Sequence, residues 1–317
     1  MDLGKTIGLP TGKATRVAFG EALKELGGQD PDLVVVDADL NNSTRTDMFL
    51  AAYPERFFNV GIAESNMVGV AAGLAASGKK AWISSFATFV MSNAYDQLRM
   101  SVAFPHWNVK VVGSHSGISI GEDGPSQMGI EDVALASALP GFAVVVPCDE
   151  YSTRQAVKAL HATDGPAYLR TGRPNAPIVY KDGDRWELGK ANLLRDGKDL
   201  TIIGNGLMVA PCLEAAAALE KEGRSVRVLD VHTVKPLDVE TITRAARETG
   251  RILVVEEHLA HGGLGSAVAM ALAATHPVPM RFVNLGDQFA ESGSPEALLK
   301  KYGLTYENIV QVARELF

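Results

Sequence analysis

The sequence predicts two consecutive α/β units: a doubly wound, mainly parallel sheet over residues 1–185, then a smaller α/β domain over 186–317. Short Val/Ile-rich runs alternate with longer Ala/Leu-rich amphipathic stretches along the chain, the pattern of βαβ units. The alternation is interrupted at 171–186, where Gly172, Pro174, Pro177, Gly183 and mixed charges break any periodicity. The length of 317 residues, 46% of them hydrophobic, is ample for two cores.

The first unit is expected to hold a helix at 16–26, a strand at 33–36, a helix at 66–76 and a weaker strand at 81–83. A long helix at 88–103, strands at 109–112 and 143–146, and a helix at 151–161 complete it. In the second unit, strands are expected at 200–203, 226–229, 252–255 and 280–283, separated by helices at 209–222, 239–248 and 265–274. Open parallel sheets bind ligands beyond the carboxyl ends of their strands, so 37–43 and 113–127 are where chemistry is expected. A net charge of −7 gives no broad cationic field, which argues against nucleic acid or an anionic membrane as partner. Cys148 and Cys212 make no disulfide framework, and neither a signal-like start nor a membrane-length apolar run is present. A soluble cytoplasmic protein is expected.

Three segments carry candidate chemistry. Glu64 stands at the start of an apolar helix, where a carboxylate either faces the helix dipole or, desolvated by Val60, Ile62, Met67 and Val68, shares a proton with a buried nitrogen heterocycle. Phe86 and Phe89, three residues apart after a strand, are either core residues at helical spacing or a flat apolar wall. The run GSHSGISIGEDGPSQ at 113–127 follows a strand and combines glycines with a His, two carboxylates and a Gln, which points to a functional loop. Glu256-Glu257-His258 followed by His261-Gly262-Gly263-Leu264-Gly265 has the form of a phosphate-cradling turn at a helix start. Its spacing does not match a dinucleotide fingerprint, and a structural role is expected there.

Taken together, GIAESNMV around Glu64, SFATFVMSNAYDQLRMS, GSHSGISIGEDGPSQMGIEDVA and VHTVKPLD resemble transketolase. They stand in the family's order from Ala14-Thr15-Arg16 nearly to the end, which is far more specific than one short motif. The resemblance implies a pyrimidine-binding unit for thiamine diphosphate followed by a transketolase C-terminal domain. It implies transfer of a two-carbon ketol unit from a ketose phosphate to an aldose phosphate, in pentose phosphate metabolism or a specialised sugar route.

By the same resemblance, Glu64 hydrogen-bonds the aminopyrimidine, Phe86, Phe89 and Ile62 line its pocket, and Asp39 is an acid near the cofactor at a subunit boundary. Arg16, Ser43, His115 and Arg173 correspond to contacts with the substrate phosphate, for which the fork of an Arg is suited; His115 also counts among the catalytic residues. Asp123 corresponds to the residue that reads the sugar hydroxyl beside the reacting carbonyl, and Gln127 to a substrate contact. The family holds the diphosphate and its metal through a Gly-Asp-Gly segment with a downstream Asn, and no Gly-Asp-Gly occurs in this sequence. Mg2+ or Ca2+ is therefore expected on an N-terminal transketolase subunit, in a two-plus-two heterotetramer, with no metal ligand in this chain.

Gln127 stands where many microbial members have His, Ala63 where they have Arg, and Ser92 where many have an aromatic residue. The pattern is closer to the animal-type branch and leaves substrate preference open. Rival readings with the same fold are a deoxyxylulose phosphate synthase and the β subunit of a 2-oxo-acid dehydrogenase. A noncatalytic interaction half is a third, but the phosphate quartet favours transketolase.

Overall fold

In the computed structural model, which describes residues 1–317, the chain forms fourteen strands. They are β1 (Thr11–Ala14), β2 (Leu33–Asp37), β3 (Phe57–Asn59), β4 (Lys80–Phe86), β5 (Val109–Ser114), β6 (Ala143–Val145) and β7 (Ala167–Arg170). The rest are β8 (Asn175–Pro177), β9 (Asn192–Arg195), β10 (Leu200–Gly204), β11 (Val226–Asp230), β12 (Thr233–Lys235), β13 (Ile252–Val255) and β14 (Met280–Val283). The larger sheet has the order β12-β6-β7-β5-β4-β2-β3 and is parallel except for its edge strand β12. The second sheet, β14-β13-β10-β11-β9, is parallel except for β9. Strands β1 and β8 pair as a small antiparallel ladder. The doubly wound α/β class expected from the alternation is present.

Strands β2, β5, β10 and β13, rich in Val and Ile, are buried along their whole length, as central parallel strands covered by helices on both faces are. Over one face of the larger sheet, helices Thr15–Gln29 and Glu150–Ala162 press Phe19, Leu23, Val157 and Leu160 against Val35, Trp82 and Leu169. The second of these helices starts at a capping box in which Asp149 accepts from Ser152 N, satisfying one of the free amides of the first turn. Over the other face, helix Glu64–Ala76 buries Met67, Val68 and Ala71 beside Val34, Val36 and Ile83. Each large side chain so buried contributes about 1.5–3 kcal/mol.

The helix expected at 88–103 is divided into Ala87–Ser92, Tyr95–Gln97 and a π-helical turn at Leu98–Ala103. Ser65 Oγ donates to the Asn93 carbonyl at 2.8 Å, diverting an acceptor that a continuous helix would use internally. The two halves of the chain are also interlocked. Strand β12, from the second half, completes the edge of the larger sheet against β6. At the other end, Thr6 donates from N and Oγ1 to the buried Glu214 of helix Val209–Lys221, at 3.0 and 2.7 Å.

Candidate active site

Four central strands, adjacent in the order β7-β5-β4-β2, end on one side of the larger sheet, and the predicted residues follow from those ends. Arg173 comes after β7, His115 after β5, Phe86 closes β4, and Asp39 lies after β2. The loop after β2 is shaped by Asp37, fully buried, which accepts from Leu40 N at 2.7 Å and Thr46 Oγ1 at 2.8 Å. Burial pushes the Asp37 carboxyl above its usual range. The first helix is tied to the segment after β7 by the β1–β8 ladder and by Gly172 N donating to Thr15 Oγ1 at 2.7 Å. That tie sets the next residues, Arg16 and Arg173, beside each other.

Arg16 Nη1 donates to the Ser43 carbonyl at 2.6 Å and lies 3.4 Å from His115 Nε2. A guanidinium only donates, so Nε2 accepts and the imidazole proton sits on Nδ1, 2.9 Å from Ser114 Oγ. Burial, and then the charges of Arg16 and Arg173, hold the His115 pKa down to about 3, so the ring is neutral at physiological pH. The Arg16 pKa is lowered as well, first by burial and then by Arg173 and Arg45. Nearby carboxylates belong to the other two arginines: Asp47 is 3.6 Å from Arg45, and Glu122 and Asp123 are each 3.7 Å from Arg173. Arg173 also donates to the Ile120 carbonyl at 2.7 Å, bracing the 113–127 loop.

The aromatic wall is formed. Phe86 stacks on Phe89 with centroids 5.4 Å apart and planes at 10°, and on His115 at 4.0 Å and 22°. Glu64, 6% exposed, opens its helix beside that wall and accepts from Ser85 Oγ at 3.1 Å on Oε1 alone. Its apolar surroundings differ from expectation. Met67 and Val68 are buried and Val60 is half-buried, but Ile62 is 85% exposed. Gly61 adopts φ 76° in a tight turn, with Asn59 Oδ1 accepting from its N–H, and this turn sends Ile62 outward.

Arg16, Ser43 and His115 are thus joined directly, Arg173 and Asp123 through the loop, and Glu64 through Ser85 and Phe86. Asp39 is exposed, with φ 66°, and accepts from Asn59 Nδ2 at 2.9 Å. Gln127 is half-buried and accepts from Ser126 Oγ at 2.6 Å. Neither they nor Ile62 hydrogen-bonds to the other predicted residues. At the glycine-rich turn of the second unit, Glu256 itself accepts from Leu264 N and Gly265 N, both at 2.7 Å, so the helix start is filled from within and the structural role is correct.

Sequence reasoning missed Arg45, whose Nε is buried without a partner. It packs over Gly20, one turn along the helix from Arg16, where a Cβ would lie 2.8 Å from Arg45 Cβ. That glycine inside a helix was the available signal, since it weakens the helix unless something approaches closely. No group of three or more His, Cys, Asp or Glu side chains is placed to hold a metal ion, and no helix is long and apolar enough to cross a membrane.

A flat aromatic platform with a buried carboxylate at one side and guanidinium groups at the other fits a heteroaromatic cofactor ring next to an anionic substrate terminus. The fold defines a protein of the doubly wound α/β class. Residues 11–179 match the transketolase pyrimidine binding domain and residues 189–309 the transketolase C-terminal domain. The chain belongs to the transketolase family. It is 42% identical over 301 residues to the 6-deoxy-6-sulfo-D-fructose transketolase subunit SqwH of Clostridium sp. (strain MSTE9), covering 95% of this chain and 94% of that one. It is 40% identical over 303 residues to a subunit of the apulose-4-phosphate transketolase of Phocaeicola vulgatus, covering 95% of this chain and 97% of that one. A solved structure described as a split gene transketolase, inactive beta4 tetramer, superposes with a TM-score of 0.88 at 44% identity, covering 96% of this chain and 98% of that one.

Proposed function

We propose that this chain is the C-terminal subunit of a split transketolase and transfers a two-carbon ketol unit from a ketose phosphate to an aldose phosphate. In this reading 1–185 is the pyrimidine-binding domain and 186–317 the C-terminal domain. An N-terminal subunit holds the diphosphate of thiamine diphosphate with Mg2+ or Ca2+, in a two-plus-two assembly. The observation that carries the reading is the continuity of the Glu64–Phe86–Phe89 platform, through stacked His115, with the Arg16–Ser43–Arg173 cluster. Similarity to chains named as transketolase subunits supports the need for a partner.

Thiamine diphosphate, when bound, supplies the nucleophilic carbon and the electron sink. Glu64 holds a proton at a ring nitrogen, with Ser85 fixing one carboxylate oxygen so that the other faces the ring. Phe86 and Phe89 orient the ring and exclude water, with Ile62 and Asp39 at the boundary shared with the partner. Arg16, Arg173 and Ser43 donate to the phosphate, whose charge replaces the compensation that Arg16 lacks, and neutral His115 joins them by moving its proton from Nδ1 to Nε2, where it can donate. Asp123 accepts from the sugar hydroxyl, and Gln127 donates from its amide without titrating.

The test is reconstitution. Alone, the chain is expected to bind thiamine diphosphate weakly and show no turnover; addition of an N-terminal transketolase subunit is expected to restore both. Micromolar cofactor binding by the isolated chain, measured calorimetrically, would contradict a site divided between chains.

A further inference from the structure

Residues 116–124 carry the chain from His115 past Asp123, so their path decides where both side chains stand. That path is laid against the second unit. Gly117, at φ 76°, sits where any Cβ would overlap the Glu257 carboxyl group, and a Cβ on Gly124 would overlap Ser292 Oγ. A Cβ on Gly121 would lie 2.8 Å from the Pro295 ring. The most specific contact is polar: Ser119 N donates to Glu257 Oε1 at 2.6 Å and Ser119 Oγ to Oε2 at 3.3 Å.

Glu257 follows β13, and its backbone is anchored in turn. Arg170 Nη2 donates to the Glu257 carbonyl at 3.0 Å and to the Gly129 carbonyl at 2.9 Å, while Arg170 Nε bonds the buried Asp132 carboxylate at 2.8 Å. Gly129 O accepts from Gly117 N at 2.7 Å, closing the circuit back to the loop. A carboxylate is expensive to bury and is tolerated only where its hydrogen bonds are specific. Here the bonds go to the substrate loop of the other unit, and burial raises the Glu257 pKa despite the opposing influence of Arg170 and of Ser119.

We infer that Glu257 is a positioning residue, through which the carboxyl-terminal unit holds the 115–123 loop in the shape that presents His115 and Asp123. Only the identity of what the loop reads rests on the proposed function; the hold itself is a property of this chain. No residue of the second unit belongs to the predicted site, so the unit acts on substrate through this loop.

Two substitutions separate reach from charge. Glu257→Gln keeps the length and can still accept from Ser119 N, whereas Glu257→Asp keeps the charge and draws back by one methylene. Hydrogen exchange of the full chain should show protection of the 117–121 amides falling by about 10-fold in Glu257→Asp, the scale of one lost hydrogen bond, and staying near wild type in Glu257→Gln. In the reconstituted complex, Glu257→Asp should raise KM for a ketose phosphate by about 10-fold, with thiamine diphosphate affinity unchanged and Glu257→Gln close to wild type.

Unchanged protection in Glu257→Asp, equal loss in both variants, or cofactor affinity falling in step with KM would overturn the inference. The exchange experiment needs neither substrate nor partner. An inactive wild-type complex would therefore count against ketol transfer while leaving exchange to judge Glu257.

Discussion

Substituting Gln for Arg16 should make the free chain no less stable while disabling its use of sugar phosphates. Arg16 is half-buried, its Nε has no partner, and its pKa is depressed first by burial and then by Arg173 and Arg45. It is a cation desolvated beside two others, with the local carboxylates engaged elsewhere. Gln removes the charge and, ending where Arg16 has Nε, gives up the 2.6 Å bond from Nη1 to the Ser43 carbonyl, so the lost bond and the relieved repulsion offset each other in the free chain. The free chain is expected to keep its melting temperature or gain up to about 2 °C, the scale of ~1 kcal/mol in a chain of this size. A charge-assisted hydrogen bond to phosphate contributes about 1.5–3 kcal/mol, so kcat/KM for a sugar phosphate should fall by about 10 to 150-fold. The half-buried setting, poorly screened by water, favours the upper part of that range. Hydroxypyruvate, with no phosphate, should be turned over almost as before. The His115 pKa should rise from about 3, because Arg16 is the larger of the two charges depressing it after burial, and NMR titration would show this. Melting several degrees lower, with equal losses for both donors, would make Arg16 a structural residue and refute the reasoning.

Further outcomes follow from the same geometry. Glu64→Gln should slow ketol transfer by about 10² to 10⁴-fold without preventing assembly; near-normal exchange of the thiazolium carbon proton in that variant would remove Glu64 from the mechanism. Gly20→Ala, normally favourable in a helix, should destabilise by about 1–3 kcal/mol because its Cβ meets Arg45, and wild-type stability in denaturant would show that contact to be loose. His232 is buried against Trp186 with Nε2 unpartnered, and burial holds its pKa down to about 3, against about 6.5 unfolded. Between those values the unfolded state binds the extra proton, so stability falls as pH drops, by up to ~1.4 kcal/mol per pH unit. Asp230, pushed up to about 7 by burial, has the opposite sign and loses stability as pH rises towards 7. His232→Gln should therefore flatten the acid side of the stability profile, and an unchanged acid limb would exclude His232 as its source.

The legible part of the fold was the part whose physics is local. Strands β2 and β13 are nearly continuous Val/Leu/Ile runs, and β5 and β10 are Val- or Ile-rich, because parallel strands are buried on both faces, and β13 and β14 span the predicted residues. Strands β3, β8 and β12 have three residues each and no periodicity; their conformation comes from the backbone groups of neighbouring strands. The interruption of the helix expected at 88–103 depends on Ser65, which is distant in sequence from the carbonyl it captures. In the site, the spacing of Phe86 and Phe89 after a strand left core packing and a wall both open, and most roles came from the resemblance. The outward turn of Ile62 at Gly61 and the reach of Arg45 over Gly20 are tertiary, so no local pattern contained them.

Unpaired polar atoms give the site its chemical character independently of family. Arg16 Nε, Arg45 Nε and Thr171 Oγ1 are buried without partners, and they belong to three segments converging on the carboxyl edge of the larger sheet. Native folds satisfy nearly all buried polar groups, since each orphan costs about 1–3 kcal/mol, so such a concentration of potential donors is retained where a ligand completes it. Donors already oriented in a half-dry site bind an anion without reorganising, which is the condition under which electrostatic recognition is strongest. In a chain of net charge −7 the bulk field repels anions, so under the proposed function selection of a phosphate is local, at the convergence of the first helix, the β2 loop and the segment after β7.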